Sequence, residues 1–149
     1  MSIASTDLTK RPPRSPRVRL GGYVILPRML DKGRALLGGS LGEYHYNCPL
    51  DQQFLEFAGL DPEALKAELA QGRSDGQILA WIMIHAKHPR TGAEIAAWSA
   101  FQDQRGPSDW DSREFYNDEH KRIGPDRSDL SSWFDLLDLD DYVSFGGKA

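Results

Sequence analysis

Helix-capping signals punctuate this chain from end to end, and they confine it to helices. Ser74 with Gln77 and Thr91 with Glu94 are capping boxes, each placed ahead of an apolar stretch. Asp61-Pro62 sets an N-cap before a proline, whose missing N–H costs nothing at the first helical position. Gly59 and Gly72 stand where left-handed C′ residues end helices. Between these marks the apolar spacing is helical. A first helix opens at Pro27, turns Met29, Leu30, Gly33, Leu36 and Leu37 inward, and stops at Gly38-Gly39. Arg28, Asp31, Lys32 and Arg34 take its other faces. Others are expected over 49–58, 62–71, from Ile78 to before Pro89, around Ile95 to Phe101, over 108–122, and from about Asp129 on. In the last, Leu130, Trp133, Phe134 and Leu137 fall at i, i+3, i+4 and i+7. Trp81, Trp98, Trp110 and Trp133 read as core anchors. Alternation of the β kind is confined to 43–47, too short for a sheet. The fold class is therefore all-α, a single domain of about six or seven short helices over 17–149. Pro12, Pro13 and Pro16 among charges make 1–16 an extended basic arm.

At 149 residues such a domain buries a core without metal or disulfide staples. A single cysteine supplies neither a disulfide nor a Cys-based zinc site. The N-terminus lacks the apolar core of a secretory signal, and the run Ile78–Ile84 is too short to span a bilayer. Cytoplasmic placement is the expectation, with no membrane partner. A net charge of −4 argues against a general nucleic-acid binder. Its distribution is uneven: Lys10, Arg11, Arg14, Arg17 and Arg19 crowd the start, and Asp135, Asp138, Asp140 and Asp141 crowd the end. Either the basic start binds an outside anion or it folds back on the acidic end. The second is preferred, because it neutralises both runs without a partner. Acids near a helix C-terminus oppose its dipole, so an arginine from the arm, or Arg127, is expected beside them. A solvated face is the commoner outcome there, and the run lacks the glycine and terminal glutamate of a calcium loop.

The blocks Ser15-Pro16-Arg17, Leu20-Gly21-Gly22-Tyr23, Leu26-Pro27-Arg28, Leu30-Asp31-Lys32 and Gly42-Glu43-Tyr44 to Asp51 resemble a bacterial family catalogued as a domain of unknown function, number 5069. Trp133-Phe134-Asp135-Leu136-Leu137 is similar as well, so the resemblance spans nearly the whole chain. It implies a bacterial protein and brings no activity, cofactor or catalytic residue with it.

The chemistry concentrates in 43–51, where Glu43, Tyr44, His45, Tyr46, Cys48 and Asp51 precede a helix. With Pro49 at the first helical position, Cys48 is the N-cap, and its sulfur lies at the positive end of the dipole. That position favours thiolate, while Asp51 in the first turn opposes it. An unreactive, partly buried N-cap is the more common fate of a free cysteine. In an extended segment Tyr44, Tyr46 and Cys48 face one way, and Glu43, His45 and Asn47 the other. A Cys48–His45 pair then needs a bend at Asn47. Cys48, His45, Glu43 and Asp51 are the catalytic candidates. Arg28, Lys32, Tyr44 and Tyr46 are the ligand-binding candidates.

Arg28, Asp31 and Lys32 lie within one turn of each other and could meet a carboxylate or phosphate. An exposed salt-bridged surface, at about 0.3–0.5 kcal/mol per pair, prevails unless Arg28 is buried against Glu43 or Tyr44. The four histidines (His45, His85, His88 and His120) complete no metal-ligand pattern, so no metal site is expected, and the residues name no cofactor. Gly38-Gly39-Ser40-Leu41-Gly42 lacks the lysine and hydroxyl of a P-loop. Two functions compete. One is a small-molecule domain, enzymatic or not, taking an anionic ligand between the 43–51 loop and the 28–37 helix. The other is a non-catalytic protein-interaction module that uses the basic arm.

Overall fold

The computed structural model describes residues 4–149 as an all-α fold without strands among them. Seven helices follow in order: α1 Leu26–Gly38, α2 Pro49–Ala58, α3 Pro62–Leu69, α4 Asp75–His85, α5 Gly92–Gln104, α6 Trp110–Ile123 and α7 Trp133–Ser144. The caps explain most boundaries. Asp61, Ser74, Thr91, Asp109 and Ser132 each accept from a backbone N–H in the first turn of their helix. Left-handed Gly39 and Gly59 close α1 and α2. Among the described residues no helix is long and apolar enough to cross a membrane.

While helix α7 packs on α5 and α6, helix α1 packs on α2 and α3. Its first turns join Tyr23 to Leu26, Phe54, Leu65, Leu69, Ile78, Ile82 and Phe134 in the main core, and Tyr116, Ile123, Leu136 and Leu139 form a smaller one. Ile25, fully buried just ahead of α1, holds a φ of 74°. A β-branched residue in that region costs about 1–3 kcal/mol, which its complete burial offsets. Its N–H donates to the carbonyl of Pro16 at 2.8 Å, so the incoming chain fixes where α1 begins.

Several expectations need correction. Leu36 is exposed, because the last turn of α1 emerges into solvent. Arg28 and Lys32 do not share an outer face: each is only 3% exposed. The last helix starts at Trp133 and not near Asp129, since Ser132, not an earlier residue, supplies the cap. Trp110 is 82% exposed and anchors nothing. It lies six residues from buried Tyr116, roughly 120° around a helix of 3.6 residues per turn. The segment 43–47 is two turns rather than an extended stretch, and Asn47 takes a φ of 63°.

The basic start does fold back. Arg17 pairs with Asp135 and with Asp138, the latter at 2.9 Å, and the Ser15 hydroxyl donates to Asp138 at 2.7 Å. Burial pushes the Asp135 carboxyl up, but backbone donors at Ser131 and Ser132 together with Arg17 outweigh it and hold it below the usual range. Arg127 turns to Asp129 instead, holding that carboxyl at about 2. Arg14 bridges Asp31 at 2.9 Å and Asp75 at 2.8 Å.

Candidate functional site

Helix α1, the 42–48 turns, the start of α2, the C-terminal half of α7 and the chain around Leu8 enclose a cleft of about 470 Å³. That volume lies within the range of small-molecule sites. Its polar lining comes from Thr9, from Arg28 and Lys32 of α1, from Glu43, Tyr44 and His45 of the turns, from Cys48, and from Asp140 and Ser144 of α7. Its apolar lining is Leu8, Leu50, Leu137 and Phe145.

The two cations stand one turn apart on α1, and each is held from behind. Arg28 donates to both carboxylate oxygens of Asp141, at 2.7 and 3.2 Å, and to the carbonyl of Arg14 at 3.2 Å. Burial disfavours its charge, but the Asp141 bonds more than restore it, and its pKa is raised overall. The Tyr44 ring stacks against the guanidinium at 5.5 Å, and its hydroxyl donates to Asp141 at 2.8 Å. Burial and that bond push the phenol pKa up, so Tyr44 remains a neutral donor. Lys32 lies 2.9 and 3.0 Å from the two oxygens of fully buried Asp51 and 3.3 Å from the Cys48 sulfur. Asp51 also accepts from the backbone N–H groups of Asn47 and Cys48. One carboxylate thus caps α2 and anchors a buried ammonium, as a desolvated charge requires.

Of the residues singled out in the sequence, Arg28, Lys32, Glu43, Tyr44, His45 and Cys48 meet in this cleft. Tyr46 and Asp51 are not on its lining. The alternation put Tyr46 beside Tyr44, but the turn at Asn47 breaks it. The Tyr46 hydroxyl donates to the carbonyl of Pro62 at 2.7 Å, and its ring packs beside Gly33. Burial pushes that phenol pKa up too. Asp51 has no surface left to offer a substrate. Among the described residues no hydrogen bond joins His45 to Cys48, and no three His, Cys, Asp or Glu side chains gather as a metal site would need. The sequence reading named Asp141 only in the acidic run and Leu137 only in the last helix, placed neither at the site, and passed over Leu8 and Phe145. Leu8 carried a signal, as the largest apolar side chain among residues 4–16.

The left-handed Gly42 closes the rim against the N-terminal segment. A Cβ there would lie 2.9 Å from the carbonyl oxygen of Leu8, backbone against backbone. Gly42→Ala is expected to destabilise the protein by about 1–3 kcal/mol, read from the denaturant midpoint. Gly76→Ala, in open space within α4, should instead gain about 0.5–1 kcal/mol.

The model of a family described as Domain of unknown function (DUF5069) matches residues 10–143. No curated protein matches the chain.

Proposed function

We propose, for a chain that belongs to the DUF5069 family of domains of unknown function, that the cleft binds a small anionic molecule with an apolar body. The observation that carries this is the pair of buried cations, Arg28 and Lys32, on the lining of a cleft whose apolar wall is Leu8, Leu50, Leu137 and Phe145. Two acids, Glu43 and Asp140, line it as well, and Asp140 is engaged by Arg122 at 3.2 Å. Asp141 and Asp51 preset both cations, so an incoming carboxylate meets donors whose orientation is already fixed. A guanidinium has five N–H groups, and Arg28 directs bonds only to Asp141 and the Arg14 carbonyl, which leaves it room for a further acceptor. The Lys32 ammonium, matched by Asp51 and Cys48, adds its charge. The aliphatic wall would then cover the body of the ligand at about 25 cal/mol per Å² of apolar surface removed from water.

An enzymatic version of this reading rests on Cys48, whose sulfur lies in the cleft 3.3 Å from the Lys32 ammonium. The alternative, partner capture by the basic arm, has less support. Arg14, Arg17 and Arg19 are each paired with acids of the same chain.

Titration with octanoate, octylamine and inorganic phosphate, followed by backbone NMR, tests the ligand class. Saturable octanoate binding is expected, with shifts at Leu8, Leu137 and Phe145, and with slower alkylation of Cys48. Octylamine should produce none of this, and phosphate should bind more weakly for want of an apolar body. Ser144→Trp, an exposed position on the lining, should block octanoate while leaving thermal unfolding unchanged. Octanoate shifts that are absent, or unchanged in Ser144→Trp, would end the proposal.

A further inference from the structure

A cation without a counter-ion ends helix α5. Among the described residues Arg105 is the sole arginine withdrawn from solvent that has no acidic partner; Arg14, Arg28, Arg34, Arg73, Arg90 and Arg127 each have one. Burial alone lowers the Arg105 pKa, whereas those of Arg14, Arg28 and Arg127 are raised by their acids. The side chain is nonetheless held in place. Its Nε donates to the Gln102 Oε1 at 3.2 Å, and Gln102, only 1% exposed, donates in turn to Gln53 at 3.1 Å. The Arg105 carbonyl accepts from the Trp133 N–H at 2.9 Å, which ties the residue to the start of α7. Its guanidinium lies 5.9 Å from the centre of the Trp133 ring. The Nε bond to Gln102 is the one hydrogen bond this guanidinium makes among the described residues, so both Nη groups lack an acceptor there. A charge that gives up water on burial is stabilised only where acceptors replace it.

We infer that Arg105 and Phe101 form a second binding site, one that takes a carboxylate joined to an aromatic group. A cavity of about 390 Å³ is lined by Phe101, Gln104, Arg105, Gly106 and Ser108, so the unmatched guanidinium opens on a hollow. No acid lines it. Asp103 is taken by Arg19 at 2.7 Å, and Asp109 caps α6 by accepting from the Ser112 N–H at 2.8 Å. The two Nη groups of a guanidinium form a fork that meets both oxygens of one carboxylate. A single cation matches a single negative charge. A phosphate dianion would call for a second cation, and no lysine, histidine or other arginine lines the cavity. Phe101, 61% exposed, stands four residues before Arg105 and so on the same side of the helix end. It offers a ring for the aromatic group to pack against, offset or edge-on. This cavity shares no residue with the cleft of α1, α2 and α7, so the inference stands apart from the ligand proposed there.

Backbone NMR titration of the full chain with phenylacetate tests it, carried out in the Ser144→Trp background that closes the cleft to the same probe. Saturable shifts are expected at Gln104, Gly106 and Ser108. Phenethylamine should produce none, and inorganic phosphate should bind less tightly. Arg105→Lys keeps the charge without the fork and should weaken phenylacetate about tenfold. Arg105→Met should abolish the shifts. Phe101→Ala, at an exposed position, should weaken phenylacetate and leave the weaker binding of acetate unchanged. Shifts at 104–108 that are absent, or that persist in Arg105→Met, would overturn the inference. So would shifts confined to Leu8, Leu137 and Phe145, which belong to the cleft. Failure of the cleft proposal would leave the signals at 104–108 as expected here.

Discussion

Asp141→Ala is expected to cost about 3–5 kcal/mol of stability, because it strips the carboxylate from a guanidinium that is almost wholly buried. For a chain of this length that loss lowers the melting temperature by about 10 °C. Arg28 is buried in α1 and takes its two carboxylate bonds from α7, so the pair locks the first helix to the last. Without Asp141, Arg28 keeps only the Arg14 carbonyl as a hydrogen-bond acceptor, and the Tyr44 hydroxyl loses its own. Replacing both partners separates stability from recognition. Arg28→Met with Asp141→Leu should recover most of the lost stability, since apolar groups of similar volume replace a buried pair at little net cost. Octanoate binding should not recover, because one of the two cations on the lining, the one with free donors, is gone. Calorimetry on the two variants decides the matter: a single-variant loss below about 1 kcal/mol would mean that the guanidinium escapes to solvent.

What the sequence made legible follows from the range of the interactions involved. Capping is local, so Ser74 with Gln77 and Thr91 with Glu94 mark helices α4 and α5 where they begin. The left-handed turn at Asn47 is local too, yet asparagine only tolerates that conformation, and the turn decided which way Tyr46 would face. The Arg28–Asp141 pair spans nearly the whole chain. Its only trace was an acidic run at a helix C-terminus that wanted positive charge from somewhere. Arg17, Arg28 and Arg122 all answered that need, and spacing cannot apportion them. Burial of Arg28 and Lys32 was hidden for a related reason. A charged residue reads as a surface residue until its counter-ion is found in space, and Asp51, read as a catalytic candidate in the first turn of a helix, is the counter-ion of Lys32.

Deleting residues 1–16 should abolish cooperative folding rather than merely remove a basic appendage. Leu8, Pro13 and Pro16 are buried, and the Leu8 N–H bonds to the Ser40 carbonyl at 2.9 Å. Loss of the Leu8 side chain alone amounts to about 2–5 kcal/mol. The Pro16 carbonyl is the acceptor for the Ile25 N–H, and a buried donor left unpaired costs about 1–3 kcal/mol more. Arg14 holds Asp31 of α1 and Asp75 of α4 together, and burial raises the Asp75 pKa less than the Arg14 and Arg34 bonds lower it. These losses together approach the whole of a typical domain stability of about 5–15 kcal/mol. The deletion variant is therefore expected to lose its thermal transition and its near-ultraviolet circular dichroism. Lys10→Ala with Arg11→Ala removes charge at two exposed positions and should stay within about 0.5 kcal/mol of the parent. An arm built to capture partners would give the reverse pattern, with the deletion folding normally and the charge removal abolishing capture. The first pattern makes the N-terminal segment a wall of the cleft and a clamp on α1.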